Sequence, residues 1–182
     1  MPPLRGQHRQ ALQASPRATI LHSMEQLIHP IPPYVPKGSR ILILGSFPSR
    51  KSRAAGFYYA HPQNRFWKLL AALFREEPPL GIEGRKELLD RHRIALWDVV
   101  QSCGITGSSD ANIRNPVLNP VDALALQHGI HRIFLNGSLA GRLYLSDRAE
   151  NPLLTCQVLP STSAANAAYN LERLAAAWRA IL

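Results

Sequence analysis

The chain has 182 residues, 46% of them apolar and 18% charged, with a formal net charge of +9 at neutral pH. That length supports one domain with a substantial core, and the composition is that of a globular chain, not a disordered one. No stretch approaches the roughly 18 uninterrupted apolar residues of a membrane span, and polar residues break up the first 23 positions where a secretory leader would need its apolar core.

Residues 1–22 hold Arg5, Arg9 and Arg17 and no acid, which predicts a mobile basic arm ahead of a single domain over residues 23–182. The Pro-rich piece "HPIPPYVPKGS" reads as an extended connector. Arg40–Leu44 is the first strand candidate, and it breaks off in Gly45-Ser46-Phe47-Pro48. Three cations, Arg50, Lys51 and Arg53, and three adjacent rings, Phe57, Tyr58 and Tyr59, follow before His61-Pro62. Pro62 suits a first helical position, and Phe66, Leu69, Leu70 and Leu73 then share one face. Beyond lie a helix over Arg85–His92, a strand over Ile94–Trp97 that ends at Asp98, and a helix over Val121–Gln127. A strand over Arg132–Leu135, ending in Asn136-Gly137-Ser138, leads to a helix over Ser138–Leu145. Last come a strand over Thr155–Leu159, the cluster Pro160-Ser161-Thr162-Ser163, and a helix over Asn166–Ile181.

Alternating strands and helices predict an α/β fold, a three-layer α/β/α sandwich around four parallel strands. In such sheets ligands bind beyond the carboxyl ends of the strands. The four small, polar turns named above therefore converge on one rim, and one of them carries the cations and rings.

Charge distribution points to the partner. Between Glu25 and Glu76 there is no acid, while Lys37, Arg40, Arg50, Lys51, Arg53, Arg65, Lys68 and Arg75 all fall there. A one-sided field of this kind suits a phosphodiester backbone, although a basic surface kept for solubility has the same composition. Two cysteines, Cys103 and Cys156, are not spaced as metal ligands and are too few for an iron–sulfur cluster, so the expected setting is the reducing cytoplasm.

Each candidate residue has a plainer reading beside the functional one. Exposed rings flanked by cations stack on nucleobases, but the same rings can simply close the loop over the core. The amides at a helix start near Pro62, with the hydroxyls of Ser49, Ser161, Thr162 and Ser163, can hold phosphates; Ser163 can equally cap the last helix. Asn64 can hold a water or polarise a leaving base without ionising, or be a surface residue of a first turn. Asp98, the only acid at these strand ends, can accept from a base edge or orient a water, or cap a turn before Val99. Motifs for nucleoside triphosphates, zinc proteases and serine hydrolase elbows are absent, and Asp98 has no second carboxylate with which to hold two metals.

Gly45-Ser46-Phe47-Pro48 with "FYYAHPQNRFW" resembles the first motif of the uracil-DNA glycosylase superfamily, and "LPSTSAANA" at Leu159–Ala167 resembles the second. The mismatch-specific uracil glycosylases have an Asn where Ser46 stands. That departure, with the Leu-Pro-Ser-Thr-Ser loop and "ALWDVV", is closest to the hypoxanthine-DNA (deoxyinosine) branch. The resemblance runs from about Arg40 to the C-terminus; one mild departure is Ala164, where a Pro is usual. It implies an enzyme of base excision repair that flips a deaminated nucleotide from DNA, double- or single-stranded, and hydrolyses its glycosidic bond. Hypoxanthine would be the first substrate, with uracil or xanthine behind it.

By the same resemblance Asn64 is the catalytic amide, and Tyr59, Ser46, Phe47 and Asp98 meet the base. Ser49, Arg50, Lys51, Arg53, His61, Ser161, Thr162 and Ser163 meet the DNA strand. No Lys sits at these motifs in a dry setting that would make it a Schiff-base nucleophile, so a monofunctional enzyme that leaves an abasic site is expected. No cofactor or metal is expected, and the protein is read as a cytoplasmic monomer that works at the nucleoid. Two rivals carry less: a non-catalytic DNA binder on the same scaffold, and a hydrolase using Ser46 with His61, which lacks the elbow glycines.

Overall fold

The computed structural model describes residues 25–105, 113–146 and 148–182. The expected arm over residues 1–22 lies outside them. In chain order the elements are β1 (Glu25–Ile28), β2 (Ile41–Gly45), α1 (Arg50–Ala55), α2 (Phe66–Phe74), α3 (Gly81–His92), β3 (Ile94–Asp98), β4 (Val100–Ile105), β5 (Ile113–Leu118), α4 (Val121–Gln127), β6 (Arg132–Asn136), α5 (Ser138–Leu145), β7 (Thr155–Leu159) and α6 (Leu171–Trp178), closed by a 3-10 turn over Arg179–Ile181.

The four expected strands form one parallel sheet in the order β3-β2-β6-β7. Every residue of β2 and β3 is buried, which requires cover on both faces of the pleat and explains why both strands read as unbroken apolar runs. α5 packs on β6 and β7, α3 on β3, and α2 against α6. Leu69 and Leu70 of α2 and Leu174 and Trp178 of α6 are fully buried in the shared core. Each such side chain contributes about 1.5–3 kcal/mol by leaving water.

Register aligns the rim. Gly45 lies opposite Asp98, and Asn136 opposite Leu159. The residues that end the four strands therefore stand in a row, and the turns that follow them close over one edge.

Several expectations need correcting. A second sheet, antiparallel in the order β1-β4-β5, continues the chain just beyond Asp98. Its outer strand β5 is mostly exposed, contains Pro116 and holds Asn115 at φ +46°, and its pairing with β4 is irregular. No alternation marks such a strand. α2 begins at Phe66, not Pro62, because Pro62 and Gln63 form a turn. α6 begins at Leu171, where the Asn170 side chain accepts from Arg173 N–H, so Ser163 does not cap it. The cations Arg50, Lys51 and Arg53 sit on the short helix α1, not a loop.

Candidate active site

A cavity of about 420 Å³ opens at the carboxyl rim, within the range of small-molecule sites. Its wall is made by Gly45, Ser46, Phe47, Pro48 and Ser49 after β2, by Tyr59, His61 and Asn64 before α2, by Asp98 and Asn136 at strand ends, and by Ser161, Thr162 and Ser163 after β7. Both halves of the predicted motif thus meet in one place.

Asn64 is held by its oxygen. Oδ1 accepts from the Phe66 backbone N–H at 3.0 Å and from the Thr162 hydroxyl at 2.9 Å. Asn136 donates Nδ2–H to that hydroxyl at 2.9 Å, while its own Oδ1 accepts from Thr162 N–H at 2.9 Å. A carboxamide oxygen has two lone pairs, so both are engaged and the NH₂ end is the one left for a ligand. The Phe66 contact also fills the first free amide of α2, so the helix start lies at Phe66 and not near Pro62 as expected.

Thr162 has no exposed surface. Its hydroxyl is committed to two amides, so it does not face a phosphate as expected; it orients Asn64. Ser161 and Ser163 remain at the wall, where Ser161 Oγ accepts from Ser163 N–H at 3.2 Å.

Tyr59 stacks on Phe66 with centroids 3.9 Å apart and lines the cavity beside it. Its backbone is left-handed at φ +50°, a conformation that costs a non-glycine residue about 1 kcal/mol and that turns the ring inward. The hydroxyl is buried beside Asn136, near enough to feel its side chain but without a hydrogen bond of normal geometry among the described residues. Burial, with the charge of Asp98 nearby, pushes the phenols of Tyr58 and Tyr59 far above their ordinary value, so both stay protonated.

Phe47 is buried, and the Arg53 guanidinium lies over its ring at 5.7 Å while donating to the Pro48 carbonyl at 2.7 Å. Ser49 caps α1 through Ser52 N–H, and Ser52 Oγ in turn accepts from Ala60 N–H at 3.1 Å. That chain pins the aromatic loop to the first motif. Arg50, Lys51 and Arg53 stand outside the cavity wall, on α1 beside it. His61 is exposed at the rim, its Nδ1 accepting from Gln63 N–H.

Asp98 is buried at the base of the wall and is 2.8 Å from His29 Nε2. It caps no turn before Val99, whose N–H goes to the Gly45 carbonyl. The sequence reading missed His29 altogether. Arg65 was counted only as a cation, yet its guanidinium donates to the carbonyls of Thr162, Ser163, Asn166 and Tyr169, and its backbone N–H also goes to Thr162. Among the described residues no cluster of His, Cys, Asp and Glu could hold a metal ion, and no helix is long and apolar enough to cross a membrane.

A parallel sheet of this order with an amide and a carboxylate at its rim defines a class. The profile of the Uracil DNA glycosylase superfamily matches residues 32–182, and the chain belongs to that superfamily. Within it, the chain is 32% identical over 137 residues to a hypoxanthine DNA glycosylase of Methanosarcina barkeri, covering 74% of this chain and 85% of the relative. It is also 32% identical over 157 residues to a hypoxanthine DNA glycosylase of Methanosarcina acetivorans, covering 82% and 94%. A solution NMR structure described as a candidate uracil DNA glycosylase from Methanosarcina acetivorans superposes with a TM-score of 0.68 at 30% identity, covering 85% of this chain and 99% of that one.

Proposed function

We propose that the protein is a monofunctional DNA glycosylase that removes hypoxanthine from DNA by hydrolysis and leaves an abasic site. The observation that carries this is the Asn64 carboxamide, locked by its oxygen in the cavity wall with its NH₂ end unengaged among the described residues. The two relatives named for hypoxanthine support the choice of base.

In this reading the flipped nucleotide enters the cavity with its base against Tyr59 and Phe47 and its edge toward Asp98. As the glycosidic bond lengthens, the sugar gains oxocarbenium character and negative charge collects on the base. A preorganised neutral donor such as the Asn64 NH₂ stabilises that charge, or donates to the oxygen of the incoming water to position it, without any ionisation of its own. Hypoxanthine leaves readily enough that no charged acid is required. α1 and the exposed His61 flank the opening and meet the phosphates on either side of the lesion.

The test is a panel of duplexes carrying hypoxanthine, xanthine, uracil or ethenocytosine, incubated without metal. Alkali-labile sites appear first at hypoxanthine. Salt-sensitive binding with no base release from any duplex refutes the enzyme and leaves a binding protein on the same scaffold.

A further inference from the structure

His29 comes from the segment after β1, far from either motif. Its side chain is 3% exposed and lies edge-on to Phe47, with centroids 5.7 Å apart. Nδ1 accepts from the Ile31 backbone N–H at 3.2 Å, so Nδ1 carries no proton. The proton is therefore on Nε2, which donates to Asp98 Oδ2 at 2.8 Å. The backbone fixes the tautomer, and the tautomer makes His29 a donor that cannot become an acceptor.

Asp98 has one oxygen left. Oδ1 makes no hydrogen bond among the described residues, and Asp98 forms part of the cavity wall. Gly45 clears the space for it, because a Cβ at that position would lie 2.3 Å from Oδ1. The other titratable groups beside this carboxylate are the Tyr58 and Tyr59 hydroxyls from the loop before α2, both held protonated.

We infer that His29 is a positioning residue that turns Asp98 into a fixed hydrogen-bond acceptor, and that this pair selects bases bearing N–H on the Watson–Crick edge. The inference rests on the glycosylase reading and names what that site discriminates. Deamination changes this edge: adenine N1 is an acceptor, while hypoxanthine N1 carries a proton, and cytosine N3 and uracil N3 differ in the same way. A carboxylate oxygen aimed at that ring nitrogen accepts from the deaminated base and opposes the lone pair of the ordinary one. A site built to bond an N–H rejects an analogue lacking it far more strongly than an apolar pocket rejects a size change.

The experiment compares single-turnover release from duplexes containing inosine, whose N1 donates, and nebularine, whose N1 accepts. In wild type inosine is strongly preferred. Asp98→Asn keeps the shape, but His29 can only donate, so the introduced amide must give it the oxygen and present NH₂ to the base. The inosine-to-nebularine ratio then falls about a hundredfold, two lost discriminating contacts at about tenfold each. His29→Gln alone keeps the wild-type ratio, since its amide can donate to Asp98. Combined with Asp98→Asn it relaxes the lock, because either end can face the introduced amide, and part of the ratio returns.

A ratio in Asp98→Asn that is the same with His29 or Gln at position 29 overturns the inference, as does loss of both substrates in equal proportion in every variant. Thermal melts confirm that each variant is folded, and His29→Leu, which offers no donor, must lower the ratio where His29→Gln does not. Absence of any cleavage by wild type refutes the glycosylase reading and this inference with it. Cleavage with an insensitive ratio refutes this inference alone.

Discussion

Thr162→Val isolates the network behind the Asn64 amide. The substitution keeps a β-branched side chain of nearly the same volume in a site with no exposed surface, and removes one hydroxyl. That hydroxyl makes two bonds at 2.9 Å, accepting from Asn136 Nδ2 and donating to Asn64 Oδ1. Each is worth about 1 kcal/mol net, and a buried amide N–H left without a partner adds to the loss, so folding stability falls by about 2–3 kcal/mol. The bonds that remain, Phe66 N–H to Asn64 Oδ1 and Thr162 N–H to Asn136 Oδ1, keep the loop in place. What weakens is the hold on Asn64, by one hydrogen bond of about 1–2 kcal/mol. At 1.36 kcal/mol per tenfold, single-turnover release of hypoxanthine slows by about 5- to 30-fold with little change in duplex affinity. Thr162→Ser, which returns the hydroxyl, recovers most of the rate. An undiminished rate in fully folded Thr162→Val shows that Asn64 is not oriented through Thr162, and the chemistry assigned to it loses its structural basis.

Asn64→Ala removes the donor itself, and kcat falls by about 10²–10³ while binding to a lesion duplex, read by fluorescence anisotropy, persists; unimpaired cleavage rules out the carboxamide as the catalytic group. Tyr59→Phe deletes a buried hydroxyl that has no well-formed hydrogen bond among the described residues, so the thermal midpoint holds or rises, by up to about 1 kcal/mol of stability. A clear drop in that midpoint means the hydroxyl is satisfied in solution. Lys51 is exposed on α1 beside the cavity, and Lys51→Ala lowers the slope of log affinity against log salt by about one unit for every DNA sequence tried. An unchanged slope removes α1 from the DNA path.

The parallel sheet was legible because its inner strands are buried on both faces, which leaves runs such as Ile41–Leu44 with nothing polar in them. The antiparallel sheet was not, since β5 exposes most of its residues and no periodicity survives Asn115 and Pro116. Pro62 carried a correct local preference that lost to a side chain: Asn64 takes the Phe66 amide and starts the helix four residues later. The cavity-lining residues next to the motifs could be picked out from residue type and position. His29 could not, because its partner is 69 positions away and a lone His after a strand has no local mark. Thr162 was visible as a small polar residue in the right turn, but its burial, which decides what its hydroxyl does, is a property of the packed loop.

Arg65 grips main-chain carbonyls, not side chains, along the turn from Thr162 to Tyr169. The shape of this turn is thereby imposed from a position about a hundred residues earlier and is indifferent to most of the amino acids strung along it. Ala164 illustrates the freedom this gives, for a proline ring is dispensable where an external cation already supplies the rigidity. Selection can therefore vary the residues that greet the nucleic acid, one at a time, while the path of the chain stays put.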